Sequence, residues 1–124
     1  MQKLIVKNYM GTSIYFTETK NFKQVRNRIL EADEEYLVYI YADTKNSKLP
    51  RELIKELPIY GNSLVWINSS DLDASQVLNH MVLMIGQYIN AEDAIDFYIA
   101  SKTSRFDKLI ELLTSQGVSA SLLN

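Results

Sequence analysis

Two kinds of hydrophobic pattern alternate along the chain. One is short and dense in β-branched and aromatic residues. It appears at residues 13–17 (SIYFT), 36–41 (YLVYIY), 63–67 (SLVWI) and 95–100 (IDFYIA), runs with the length and composition of strands. A weaker fifth run covers 118–122. The other pattern has helical spacing. Between 21 and 32, Phe22, Val25, Ile29 and Ala32 recur as one buried stripe. Pro50 followed by Leu53, Ile54 and Leu57 predicts a short helix with proline at its first position, stopped before Pro58. Asp73 or Ser75 is placed to cap a third helix bearing Val77, Leu78, Met81, Val82, Leu83 and Ile85, apolar nearly all round and so expected to be well buried. Ser104 is placed to cap a fourth helix with Phe106, Leu109, Ile110, Leu112 and Leu113, ended by Gly117.

Strict alternation of strand and helix predicts an α/β fold in three layers, α/β/α, around a mainly parallel sheet of about five strands, because each helical crossover returns the chain to the same direction. Residues 36–41 and 95–100 are expected near the centre of the sheet, since both are almost wholly apolar. Residues 3–8 (KLIVKN), within a leading stretch of 1–11, read as an extra edge strand or a tail. Nothing resembles an internal linker or a repeat, and the 124 residues are expected to form a single domain over 1–124.

Composition adds exclusions. There is no cysteine, which removes disulfides, thiolate zinc sites and cysteine nucleophiles and suits a reducing cytoplasm. No apolar run approaches the ~18 residues of a membrane span, so a soluble, cytoplasmic protein with no membrane partner is expected. The net charge of −2 names no partner. Oligomeric state is not legible.

In an open parallel sheet, ligands bind outside the carboxyl ends of the strands. The loops expected there are 18–21, 43–48, 68–73 and 101–105, and none carries a glycine-rich phosphate-cradling motif. They hold scattered carboxylates, Glu18, Asp43, Asp71, Asp73 and Asp107, of the type that binds Mg²⁺ or Mn²⁺ when they converge. Asp71, Asp73 and Asp107 equally suit helix N-termini. Lys20, Lys23, Arg26, Lys45, Lys48, Arg51, Lys102, Arg105 and Lys108 fall in the same loops or the first turns of the following helices. Lysine and arginine there oppose the helix macrodipole, whereas a phosphate-bearing partner would favour them. Nine bases against six acids, those five and Glu52, make this edge net +3, and the opposite edge is acidic. His80, the only histidine, lies in the most apolar helix and reads as a core or partner-facing residue; the tyrosines and Trp66 read as core.

The fourth strand and its sequel, Phe97-Tyr98-Ile99-Ala100-Ser101-Lys102-Thr103-Ser104-Arg105-Phe106-Asp107-Lys108-Leu109-Ile110, then Gly117-Val118, resemble the closing segment of PIN-like nuclease domains, closest to the NYN-type branch. In that family a strand ends in Ser-Lys-Asp, a Gly-Phe-Asp-x-Leu-Ile helix start follows, and Gly-Ile or Gly-Val precedes the last strand. Tyr15-Phe16-Thr17-Glu18-Thr19-Lys20-Asn21 stands where the family has a strand ending in Asp-x-Glu-Asn, and Val77-Leu78-Asn79-His80 where it has Ala-Leu-Asp. The resemblance covers about residues 12–122, with only the fourth-strand segment specific. It implies a metal site on Glu18, Asn79 and Thr103, of which only Glu18 is acidic, and the family's second glutamate position is Lys20.

The resemblance with these departures implies a PIN-like domain that has lost nuclease activity and needs no cofactor, acting as a binding or regulatory module for RNA through Lys20, Lys45, Lys102 and Arg105. One alternative is a Mg²⁺- or Mn²⁺-dependent ribonuclease with a rearranged site of Glu18, Asp73 and Asp107. The other is a protein-binding module using the apolar helix face around His80.

Overall fold

The computed structural model describes residues 12–32, 34–45, 49–89 and 94–124. The candidate strand at 3–8 and the basic residue Lys48 lie outside the described residues.

Five strands form one all-parallel sheet: β1 (Thr12–Glu18), β2 (Glu35–Ala42), β3 (Leu64–Asn68), β4 (Ile95–Ala100) and β5 (Ala120–Leu123). Their order is β3-β2-β1-β4-β5. Four helices connect them: α1 (Phe22–Glu31), α2 (Arg51–Tyr60), α3 (Ala74–Tyr88) and α4 (Asp107–Ser115). The expected α/β/α layering follows from the alternation of side chains along the strands. Ile14, Phe16, Tyr39, Tyr41, Phe97 and Ile99 point to the face covered by Val77, Met81 and Ile85 of α3 and Leu113 of α4. Tyr15, Val38, Ile40 and Ala100 point to the other face, covered by Phe22 and Val25 of α1 and Leu53 and Tyr60 of α2. A sheet buried on both faces needs continuous apolar strands, which β1, β2 and β4 supply.

Register sets the aromatic contacts. Phe16 lies opposite Tyr39 and their rings stack at 5.2 Å; Tyr15 lies opposite Tyr98 and stacks at 5.2 Å on the other face. Each such pair adds about 0.5–1.5 kcal/mol beyond its buried area.

Four expectations are corrected. Pro50 is the residue ahead of α2, its carbonyl accepting from the Ile54 N–H at 3.1 Å, and the helix runs through Pro58 to Tyr60. Both Pro58 and Ile54 are exposed, so the helix bond lost at Pro58 faces water, and the turn at Gly61 (φ +54°) ends the helix instead. Thr103 rather than Ser104 caps the last helical segment, through a 3₁₀ turn (Ser104–Phe106) that leads into α4. The third helix is not buried all round: Val77, Met81 and Ile85 face the sheet, while Val82 and Leu83 are 45% and 59% exposed because no element covers them among the described residues. Trp66 stands on the edge strand β3 and is 41% exposed rather than core.

Two expectations on helix ends hold. Asp73 caps α3 in a reciprocal capping box with Gln76, and Gly117 (φ +82°) closes α4 in the left-handed conformation that glycine adopts without strain.

Candidate functional site

The sheet reverses its direction of growth at its centre. From β1 the chain builds outward through β2 to β3, then crosses back to lay β4 against the other side of β1. The loops leaving β1 and β4 therefore diverge to opposite faces and leave a crevice between them, the usual ligand position in open parallel sheets. A cleft of about 260 Å³ lies there, lined by Glu18, Lys20, Asn21, Ser101, Lys102, Thr103 and Arg105.

One wall comes from β1. Glu18 is the last extended residue (ψ 158°), and the chain then winds as a 3₁₀ turn, Thr19–Asn21, directly into α1. Neither Glu18 nor Asn21 makes a side-chain cap bond, so the orphan N–H groups of this helical start receive none of the capping that their side chains are chemically able to give. Asn21 is 5% exposed, and it lines the cleft.

The other wall is organised by its own short side chains. Ser101 continues the ladder by donating its N–H to the Leu123 carbonyl at 3.1 Å. Its hydroxyl accepts from the Thr103 N–H at 3.1 Å and lies 3.2 Å from Thr103 Oγ1, while the Arg105 N–H donates to Thr103 Oγ1 at 3.4 Å. Phe106, 1% exposed, anchors the wall in the core. The Arg105 guanidinium lies 4.6 Å from the Phe106 ring centroid and reaches across the cleft to Glu18 Oε1 at 3.4 Å.

Three cations and one carboxylate thus share the cleft, a formal excess of two positive charges, and the carboxylate is already engaged by Arg105. Among the described residues neither Lys20 nor Lys102 has a carboxylate partner.

Of the residues singled out from sequence, Glu18, Lys20, Lys102, Thr103 and Arg105 come together here. The others lie apart. Lys45 pairs with Asp71 at 2.9 Å in the loops after β2 and β3. Asp73 is committed to its capping box, Asp107 opens α4, and Asn79 is exposed on α3; none lines the cleft. Among the described residues no three His, Asp or Glu side chains gather closely enough to hold a metal ion, Glu18, Asp73 and Asp107 included. The donor set in the cleft also suits a divalent cation poorly, being a single carboxylate held by an arginine among three positive groups. Arg26, counted among the basic edge residues, is bonded to Glu56 at 2.7 Å. His80 is a satisfied residue, its Nδ1 2.6 Å from Tyr41 Oη and its ring edge-on to the tyrosine.

Asn21 and Ser101 were not singled out. Both carry a local signal in retrospect: each is a short polar residue at the junction where an apolar strand turns toward a helix, a position that favours such side chains for capping and turn formation.

Fold and cleft together define a doubly wound parallel α/β protein with a basic crevice at the strand crossover. Comparison with family models, curated proteins and solved structures finds no match for this chain.

Proposed function

We propose that the chain is a non-catalytic binding module, PIN-like in type, that holds phosphate groups of RNA at the carboxyl edge of β1 and β4. The observation that carries this reading is the convergence of Lys20, Lys102 and Arg105 on one crevice whose one carboxylate among the described residues, Glu18, is bridged by Arg105. Such a crevice attracts phosphate despite a chain charge of −2, because the local field rather than the total orients a charged ligand. It lacks the paired carboxylates with which a protein holds Mg²⁺ for hydrolysis. The resemblance of the fourth-strand segment to PIN-like domains supports the reading, and its neutral Asn79 and Thr103 support loss of cleavage.

The test is binding of single-stranded RNA measured over a range of salt. Binding that weakens with salt, and a slope that flattens by about one unit for each phosphate contact removed with Lys20→Ala or Lys102→Ala, is the expected result. No cleavage is expected with millimolar Mg²⁺ or Mn²⁺; cleavage abolished by Glu18→Gln would establish a nuclease instead. Absence of binding at low salt would favour the protein-binding reading, for which the exposed Val82 and Leu83 on α3, beside His80, are the relevant surface.

A further inference from the structure

Resting on the reading above and sharpening it, we propose that the cleft between β1 and β4 is a receptor for a phosphate monoester, the doubly charged group at the end of an RNA strand or on a free nucleotide, rather than for the internal diesters of a strand passing by. Asn21 and the unpaired cations beside it carry the inference. The Asn21 side chain is about nineteen-twentieths buried, lines the cleft and makes no cap bond to the helix it precedes, and no other hydrogen-bond partner for it exists among the described residues. The amide keeps a small exposure where the residue lines the cleft, so water or a ligand there can take the hydrogen bonds that the chain leaves unused. The Asn21 amide is thereby available to a ligand that accepts hydrogen bonds inside the cleft.

The chemistry of that ligand follows from what surrounds the amide. The uncapped helical start at Thr19–Asn21 presents N–H groups and the positive end of the α1 dipole, a combination that favours an anion. Lys20 and Lys102 add two cations with no carboxylate partner among the described residues. Arg105 stays tied to Glu18. The formal excess of two positive charges matches a monoester dianion; a diester carries a single charge and leaves half of that excess unbalanced.

Size and lining agree. At about 260 Å³ the cleft falls below the ~300–1,000 Å³ of pockets that enclose whole drug-sized ligands, so it takes a phosphate and part of its sugar. Among the described residues none of its lining side chains is aromatic, so these offer no platform for stacking bases along a strand. The recognised element is the phosphate group itself.

The experiment is titration of the full chain with four probes at constant ionic strength: a short oligouridylate with a phosphorylated terminus, the same strand with a hydroxyl terminus, uridine monophosphate and inorganic phosphate. The phosphorylated strand is expected to bind roughly tenfold more tightly than its hydroxyl counterpart, the effect of one added charge-assisted contact set. Uridine monophosphate is expected to compete with it. The preference should fade below about pH 6, where the monoester dianion takes up a proton and becomes a monoanion. The charged groups facing the cleft among the described residues are Glu18, Lys20, Lys102 and Arg105. Asn21→Asp, which exchanges the amide donor for a negative charge of the same shape, should abolish the preference, with an unchanged thermal transition showing that the fold is kept.

Equal affinity for the two strands would overturn the monoester proposal and leave RNA binding standing. Binding of uridine monophosphate or inorganic phosphate with no binding of either strand would uphold the monoester site and overturn the RNA reading. No binding of any probe would overturn both.

Discussion

The carboxyl edge of the sheet holds two polar regions that look alike in composition and differ in what they do with their hydrogen bonds. After β2 and β3, the loops close on one another. Lys45 is paired with Asp71 at 2.9 Å, its N–H donates to Ser70 Oγ at 3.2 Å, Ser70 in turn donates to Asn68 Oδ1 at 2.7 Å, and Asp73 exchanges capping bonds with Gln76 at 2.8 and 2.9 Å. After β1 and β4, the short side chains of Ser101 and Thr103 fold only their own loop. Lys20, Lys102 and Asn21 remain turned to a cleft with nothing of this chain to meet them among the described residues. A polar loop that satisfies itself stabilises the fold, while one that leaves donors facing a concavity is prepared for a ligand. Charge counting does not separate the two, because Lys45 and Lys102 are equally basic. Partner counting does.

The largest disturbance to this contrast should come from the floor of the open region. Phe106 is 1% exposed and lies under the Arg105 guanidinium. Phe106→Ala should cost about 3–5 kcal/mol, read from urea unfolding, and should loosen the β4 wall with it. A loss below ~1 kcal/mol would mean that the wall is not anchored as described.

Next in size is the difference between the two sets of cations. Replacing both Lys20 and Lys102 with alanine should weaken RNA binding by roughly ten- to a hundredfold at low salt and flatten the salt dependence by about two units. Lys45→Ala, which breaks an exposed pair with Asp71, should leave the slope within about half a unit of the parent. Equal effects from the two changes would dissolve the distinction.

The capping residues should respond oppositely. Asp73→Ala removes a cap in use and is expected to lower stability by about 1 kcal/mol. Asn21→Asp removes an amide with no partner and brings negative charge to a helical start, so stability should be unchanged or slightly raised while phosphate binding falls. Parallel unfolding curves and ligand titrations separate the two outcomes.

The smallest effect sharpens the boundary of the basic region. Arg26 belongs to the basic edge by sequence, yet it serves the fold through Glu56. The Tyr60 hydroxyl and the Arg26 guanidinium donate to Glu56 at 2.8 and 2.7 Å and lower its pKa, the Tyr60 bond being the larger cause. A carboxyl depressed in the folded state contributes stability that is present above its unfolded value, about 4.3, and is lost as pH falls through the lower folded value. Glu56→Gln should therefore flatten the decline of stability in that acid window, measured by urea unfolding at several pH values. It should leave the salt slope of RNA binding unchanged.

The fold was legible because its signals are local. Residues 95–100 are a strand over the span their composition indicates, and 36–41 lies inside β2 beside the central β1. Both are runs of β-branched and aromatic residues that only a doubly covered sheet can bury. Helix ends were less legible. Pro58 stays inside α2 because the bond it removes faces water, and exposure is a property of the assembled layer. The outward Val82 and Leu83 illustrate the same point: an all-apolar sequence states what would tolerate burial, and packing decides which residues receive it.

By itself, then, the order of residues determined the alternation of elements, the parallel sheet and the edge on which polar chemistry gathers, since propensity, period and crossover direction act over a few residues at a time. Only the tertiary structure decided which of those polar residues are partnered. It brought Glu18 to Arg105 across 87 positions of sequence, tied Lys45 to Asp71, and left Asn21 buried against an open cleft. Pairing depends on distances between segments that no local pattern encodes, and it is the pairing that separates a self-contained loop from a binding site.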